Sequence, residues 1–166
     1  GSEARPLHFY SYYGGTTGHE WDLIVRSHVG GLGYVRGQRI FEAGCAAGAF
    51  LDSVARQFNV HVAGVDFASA LIRIAQKRVA GSFCTADAGN LSFIPPHAFD
   101  HALAFGVLTY VNDPSHACTI AKELLRITAP GGTVFLGQLN DPELAISKTR
   151  PPKMEGGLGV PPHYWY

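Results

Sequence analysis

The sequence has no clustered positive charge, no paired cysteines and no long apolar run. Its 166 residues carry 13 basic and 13 acidic side chains, for a formal charge of zero. No stretch concentrates Lys or Arg, so the electrostatic footprint of a nucleic-acid binder is missing and no nucleic-acid partner is expected. The three cysteines, Cys45, Cys84 and Cys118, are odd in number and scattered. Without a C-x-x-C pair they argue against both a disulfide framework and a zinc site, and they point to the reducing cytoplasm with no bound metal. No apolar stretch approaches the roughly 20 residues that a membrane span needs, so no membrane partner is expected. What remains is 46% hydrophobic content, enough for one globular domain with a core of its own.

The apolar pattern alternates between two periods. Trp21, Ile24, Val25, His28, Val29 and Leu32 follow helical spacing, and an apolar strand follows at Arg39 to Ala43. A second helix carries Phe50, Leu51, Val54 and Phe58 on one face, and Val60 to Asp66 reads as the next strand. Leu71, Ile72, Ala75 and Val79 repeat the helical spacing, Ser82 to Ala86 makes a short third strand, and Phe99 to Phe105 makes a fourth after the Pro95-Pro96 loop. A helix from about Ser115 to Ile127 stops at Ala129-Pro130-Gly131-Gly132, and Thr133 to Leu139 forms a fifth strand. Strands separated by helices predict an open α/β sheet, Rossmann-like and doubly wound, mainly parallel and covered on both faces. Its ligands are expected outside the carboxyl ends of the strands, at the switch point after the first.

Candidate site residues fall at those ends. The run Ile40-Phe41-Glu42-Ala43-Gly44-Cys45-Ala46-Ala47-Gly48-Ala49-Phe50-Leu51 reads as a buried strand turning through glycines into a helix. Gly44 and Gly48 let the backbone approach a ligand, because they lack a Cβ and accept positive φ. A buried Glu42 needs a cation or several donors; the bland alternative is a helix cap or an exposed strand end. Asp66, twenty-two positions after Gly44, can accept both hydroxyls of a ribose, or else cap the helix near Ser69. Asp87 ends the third strand in Cys84-Thr85-Ala86-Asp87-Ala88, where an Asx-turn is the structural alternative.

Five ordered motifs between Ile40 and about Leu139 resemble class I S-adenosylmethionine-dependent methyltransferases. They are the acid-x-Gly loop at Glu42 to Gly48, Asp66, Asp87, the segment Phe99 to Pro114, and the turn Ala129-Pro130-Gly131-Gly132-Thr133. The resemblance implies S-adenosylmethionine as cofactor and S-adenosylhomocysteine as product. It puts Glu42 near the cofactor's amino group, Ala43, Gly44, Cys45, Ala46 and Gly48 along the methionine portion, and Asp66 with Phe67 at the ribose. Asp87 would accept the adenine amino group, the Ala88 backbone would touch the ring edge, and backbone from Phe105, Gly106 and Val107 would line the sulfonium side. One departure is Ala46, which stands at the family's middle glycine and fits if its φ is negative. A nicotinamide dinucleotide fingerprint wants glycines at 44, 46 and 49 and finds Gly44, Ala46 and Ala49, which disfavours an NAD(P)-dependent oxidoreductase. A non-catalytic cofactor-binding or interaction domain is the other alternative, suggested by Ala46 and by the C-terminal elements of the family that the sequence does not show.

Methyl transfer is an in-line displacement at a carbon already activated by the sulfonium, so the protein positions the acceptor and excludes water. A small-molecule oxygen or nitrogen acceptor is expected, and His19, Tyr110, Asp113 and His163 are the weak candidates for a base. Residues 1–15 comprise Gly1-Ser2, which reads as a scar of tag removal, and the aromatic stretch Phe9-Tyr10-Ser11-Tyr12-Tyr13. That stretch is either a lid over the cofactor or rings packed on the outside of the sheet. The cofactor domain is assigned to residues 16–139. Residues 140–166 read as a loop-like tail in which His163-Tyr164-Trp165-Tyr166 resembles the entry to the family's next element. Its antiparallel strands are missing, so the chain is expected to be cut short, leaving a sheet edge open to self-association.

Overall fold

The computed structural model describes residues 5–10 and 15–139. The tail 140–166 with His163, the aromatics Tyr12 and Tyr13, and Gly1-Ser2 lie outside the described residues.

Five strands, β1 (Arg39–Ala43), β2 (His61–Asp66), β3 (Gly81–Thr85), β4 (Phe99–Phe105) and β5 (Thr128–Gly137), form one parallel sheet in the order β3-β2-β1-β4-β5. The chain winds outward from β1 to one edge, then returns to β4 on the other side of β1. The switch point therefore opens between β1 and β4, where the sequence places the glycine loop. Helices α1 (Gly18–Val29), α2 (Ala49–Phe58), α3 (Ser69–Arg78) and α4 (Pro114–Ile127) cover both faces.

Strand alternation sorts the core into two layers. Ile40, Val62, Phe83 and Leu103 pack under Val25 and Val29 of α1, Phe50, Leu51 and Val54 of α2, and Ile72 and Ala75 of α3. Phe41, Ala43, Val65, Ala102 and Ala104 face the other way, onto Ile120, Leu124 and Ile127 of α4. No helix joins β3 to β4. Instead, Leu91 and Ile94 of that connection are buried against the α4 layer. The end of α4 fixes them: Arg126 donates to the carbonyls of Leu91 and Ile94, each at 2.8 Å, and Glu123 accepts from the Leu91 amide at 2.8 Å.

Helix α1 begins with a capping box, in which Thr17 Oγ1 accepts from the Glu20 amide and Glu20 Oε2 accepts from the Thr17 amide at 2.7 Å. It is clasped to α2 through Asp22, which takes both terminal nitrogens of Arg56 at 2.9 Å and the hydroxyl of fully buried Ser53. Trp21 adds a hydrogen bond from Nε1 to the Ala49 carbonyl at 3.1 Å. The α1–α2 pair thereby holds the first turn of α2, and with it the loop that precedes α2.

The fifth strand starts earlier than the sequence predicts. Thr128 already pairs with Phe99, and the register then shifts before Thr133 pairs with His101. The Pro130-Gly131-Gly132 turn is thus an irregularity within β5 and not a loop before it. Glycine is required at 132 because a Cβ there would lie 2.0 Å from the Asp100 carbonyl oxygen.

Candidate cofactor site

The β1–α2 loop is built on two left-handed glycines, Gly44 (φ +74°) and Gly48 (φ +79°). The amides of Gly44 and Cys45 both donate to the Val65 carbonyl, at 2.7 and 2.9 Å, which ties the loop to the end of β2. A Cβ on Gly44 would fall 2.1 Å from Cγ2 of Val107. The missing side chain therefore lets the turn after β4 close against the loop. Gly48 does the same toward α3, where a Cβ would stand 3.0 Å from Cγ2 of Val79.

Ala46 corrects the expectation made for it. Its φ is +47°, not negative, a conformation that costs an L-residue with a Cβ about 1–2 kcal/mol. The compensating contact is local: the Ala46 amide donates to Oδ2 of Asp66 at 2.8 Å. The other oxygen of Asp66 accepts from the Ala68 amide at 2.8 Å. A carboxylate has about four acceptor positions, so this buried side chain couples the glycine loop to the β2–α3 turn with two positions remaining. Beside it Phe67 is 85% exposed, a large ring standing in solvent at the rim of the crevice.

Asp87 lies two residues beyond β3. Its Oδ1 accepts from the Gly89 amide at 2.8 Å, which is the Asx-turn foreseen as the structural alternative, and also faces Nε2 of His116 at 3.4 Å. Gly89 makes room for that imidazole, since a Cβ there would sit 2.6 Å from its Cε1. The 105–107 turn follows β4: Gly106 takes φ +72° and donates to the Gly137 carbonyl at 3.1 Å, while Thr109 donates back to the Gly106 carbonyl at 2.8 Å. Phe105 stacks against Phe50 and meets His28 edge-on, with centroids 4.7 and 4.8 Å apart.

Glu42 is 2% exposed, and its Oε2 has no hydrogen-bond partner. Burial pushes its carboxyl well above the usual carboxylate range, and the neighbouring Asp66 charge adds to the shift. The same surroundings raise the thiol of Cys45 and the phenol of Tyr34, in each case chiefly through burial and then through Glu42. The Tyr34 hydroxyl is the second buried polar atom without a partner among the described residues. Burial thus disfavours the charged forms of Glu42, Cys45 and Tyr34 around the loop.

Among the base candidates, Asp113 caps α4: Oδ1 accepts from the Ser115 amide at 2.9 Å and Oδ2 from its hydroxyl at 2.6 Å, and these bonds hold its carboxyl below the usual range. Tyr110, in the 3-10 turn Leu108–Tyr110 that follows the 105–107 segment, is 60% exposed, and His19 is exposed in the first turn of α1. Sequence reading missed His116 and Tyr34. The signal for His116 was its place in the first turn of the helix that Asp113-Pro114 opens; Tyr34 carried none.

The model of a methyltransferase domain matches residues 40–132, from the first strand to the glycines of the β5 turn. The chain belongs to the class I methyltransferase family. A ubiquinone biosynthesis O-methyltransferase from Paracidovorax citrulli is 28% identical over 145 residues, covering 84% of this chain and 55% of that protein. The chain spans about half the length of the curated relatives it matches. Among solved structures, a putative S-adenosylmethionine-dependent methyltransferase from Methanococcus maripaludis superposes with a TM-score of 0.61 at 21% identity, over 76% of this chain and 59% of that one. The [4+2]-cyclase SpnF superposes with a TM-score of 0.59 at 25% identity, over 68% and 43%. The methyltransferase frame thus also occurs in a protein named for a different reaction.

Proposed function

We propose that this chain binds S-adenosylmethionine in the crevice between β1 and β4 and transfers its methyl group to the oxygen or nitrogen of a small-molecule acceptor. The observation that carries the reading is the coupling of the Gly44–Gly48 loop to Asp66, with the buried, unpartnered Oε2 of Glu42 two residues before that loop. The residues fit the cofactor: Asp66 keeps acceptor positions for the ribose hydroxyls, and Glu42 lacks the cation that the cofactor's ammonium would provide. Asp87 and the Ala88 backbone are suited to the adenine edge, exposed Phe67 to the ribose side beside Asp66, and the 105–107 turn to the sulfonium side.

When bound, S-adenosylmethionine supplies a methyl group already activated for displacement. The protein's part is to orient and to exclude water. Phe105, held between Phe50 and His28 in one core layer, and Val107, seated on Gly44 and packed on the other, place apolar side chains on both sides of the end of β4. The O-methyltransferase names of the relatives support oxygen as the first atom to test. Exposed Tyr110 and His19 remain the candidates to take the acceptor's proton, while Asp113 is engaged in capping α4.

The test is turnover. Incubation with S-adenosylmethionine and panels of phenols, carboxylic acids and amines, followed by quantifying S-adenosylhomocysteine, should give acceptor-dependent product with at least one oxygen or nitrogen class. Cofactor binding without product in any class would favour a non-transferring role.

A further inference from the structure

Glu42 occupies the fourth position of β1, on the face shared with Ile40 and turned to α1 and α2. It is 2% exposed, and Oε2 has neither solvent nor a hydrogen-bond donor. The groups whose charge couples to it are all acidic: Asp66 from β2, Cys45 from the loop, and Tyr34 from the segment before β1. Among the described residues, no basic group appears among the charges acting on Glu42. Arg26 of α1, Arg56 of α2, and Arg73, Lys77 and Arg78 of α3 are exposed. His28 of α1 uses Nδ1 on the Ile24 carbonyl at 2.7 Å. His101 of β4 uses Nε2 on Gln38 at 3.1 Å and Nδ1 on the Thr133 amide at 3.0 Å. An ionised carboxylate in such a place is strongly disfavoured unless a cation joins it.

We propose that Glu42 carries a proton in the ligand-free protein and releases it to solvent when the ammonium of the cofactor's amino-acid arm docks beside it, so that cofactor binding expels one proton. The inference rests on the reading of the crevice as an S-adenosylmethionine site. In the step, the carboxyl O–H bond breaks, the proton passes to buffer, and the carboxylate forms an ion pair with an ammonium that keeps its own protons. Binding of ligands with the arm then weakens as pH falls, while binding of the adenosine part alone does not.

Calorimetric titrations near neutral pH, repeated in two buffers of different ionisation enthalpy, count the protons. S-adenosylhomocysteine should release about one proton per molecule bound, and 5′-methylthioadenosine, which lacks the amino-acid arm, should release none. Glu42→Gln should bind S-adenosylhomocysteine without release. Equal proton counts for the two ligands, or release that persists in Glu42→Gln, would overturn the proposal. The ligand comparison on the unsubstituted chain decides the matter even where the variant does not fold. Absence of binding by both ligands would instead overturn the cofactor reading, and the proton proposal with it.

Discussion

The amide of Ala46 donates to Oδ2 of Asp66 across 2.8 Å while Ala46 itself stands at φ +47°. A strained loop residue is thereby held by the side chain at the end of the neighbouring strand. Loop and carboxylate form one unit, and changes at either end should be felt at the other.

Ala46→Gly should stabilise the protein by up to about 1.5 kcal/mol. Removing the Cβ relieves roughly 1–2 kcal/mol of left-handed strain and returns about 0.5–1 kcal/mol as unfolded-chain entropy. Urea denaturation measures the sum. A destabilised variant would show that the alanine methyl makes a contact worth more than the strain.

Asp66 and Asp87 should separate stability from binding. Asp66→Asn places an NH2 against one of two buried backbone amides, and is expected to lose about 1–3 kcal/mol of stability. Asp87→Asn, in an exposed turn, should change stability by less than about 0.5 kcal/mol. Both should weaken binding of S-adenosylhomocysteine, on the order of tenfold or more. Thermal unfolding and titration on the same samples check the two halves, and an Asp87→Asn variant that binds normally would remove that residue from the site.

Gly44→Ala combines positive φ with a collision against Val107, and should cost on the order of 2–4 kcal/mol. Trimming the partner in Gly44→Ala/Val107→Ala should recover part of that loss, because only the steric component depends on Val107. A double-mutant cycle isolates the coupling. Strictly additive losses would mean that backbone strain alone sets the requirement for glycine.

The raised carboxyl of Glu42 gives the ligand-free protein a specific pH dependence. Its pKa is higher folded than unfolded, so between the two values the folded state holds the extra proton. The stabilisation is complete below the unfolded value and declines as pH rises, until the folded value is passed. The slope approaches about 1.4 kcal/mol per pH unit where the difference is one whole proton. Glu42→Gln, neutral at every pH, should flatten this component. The variant should therefore gain stability relative to the parent as pH rises, and a constant difference across pH would contradict a buried, protonated carboxyl.

Much of this molecule was legible in its sequence, for identifiable reasons. Buried parallel strands leave unbroken apolar runs, and those at Arg39 to Ala43 and Phe99 to Phe105 lie where periodicity put them. The motifs between Glu42 and Val107 fall at or just beyond the carboxyl ends of β1, β2, β3 and β4, where the sequence put them. Positive φ at Ala46 was not legible, because alanine does not advertise that conformation and the Asp66 contact that holds it spans 20 residues. The early start of β5 was hidden for a related reason: Pro-Gly-Gly reads as a turn, and only the pairing of Thr128 with Phe99 makes it an irregularity within a strand. The Asp22–Arg56 clasp joins polar positions 34 residues apart, for which no local pattern exists.

The most direct test of the cofactor assignment is calorimetric titration of this chain with S-adenosylmethionine, S-adenosylhomocysteine and NAD. Saturable binding of both adenosyl ligands, one per chain and without binding of NAD, is the result predicted by the coupling of the Gly44–Gly48 loop to Asp66. Binding of NAD alone, or of none of the three, would contradict it.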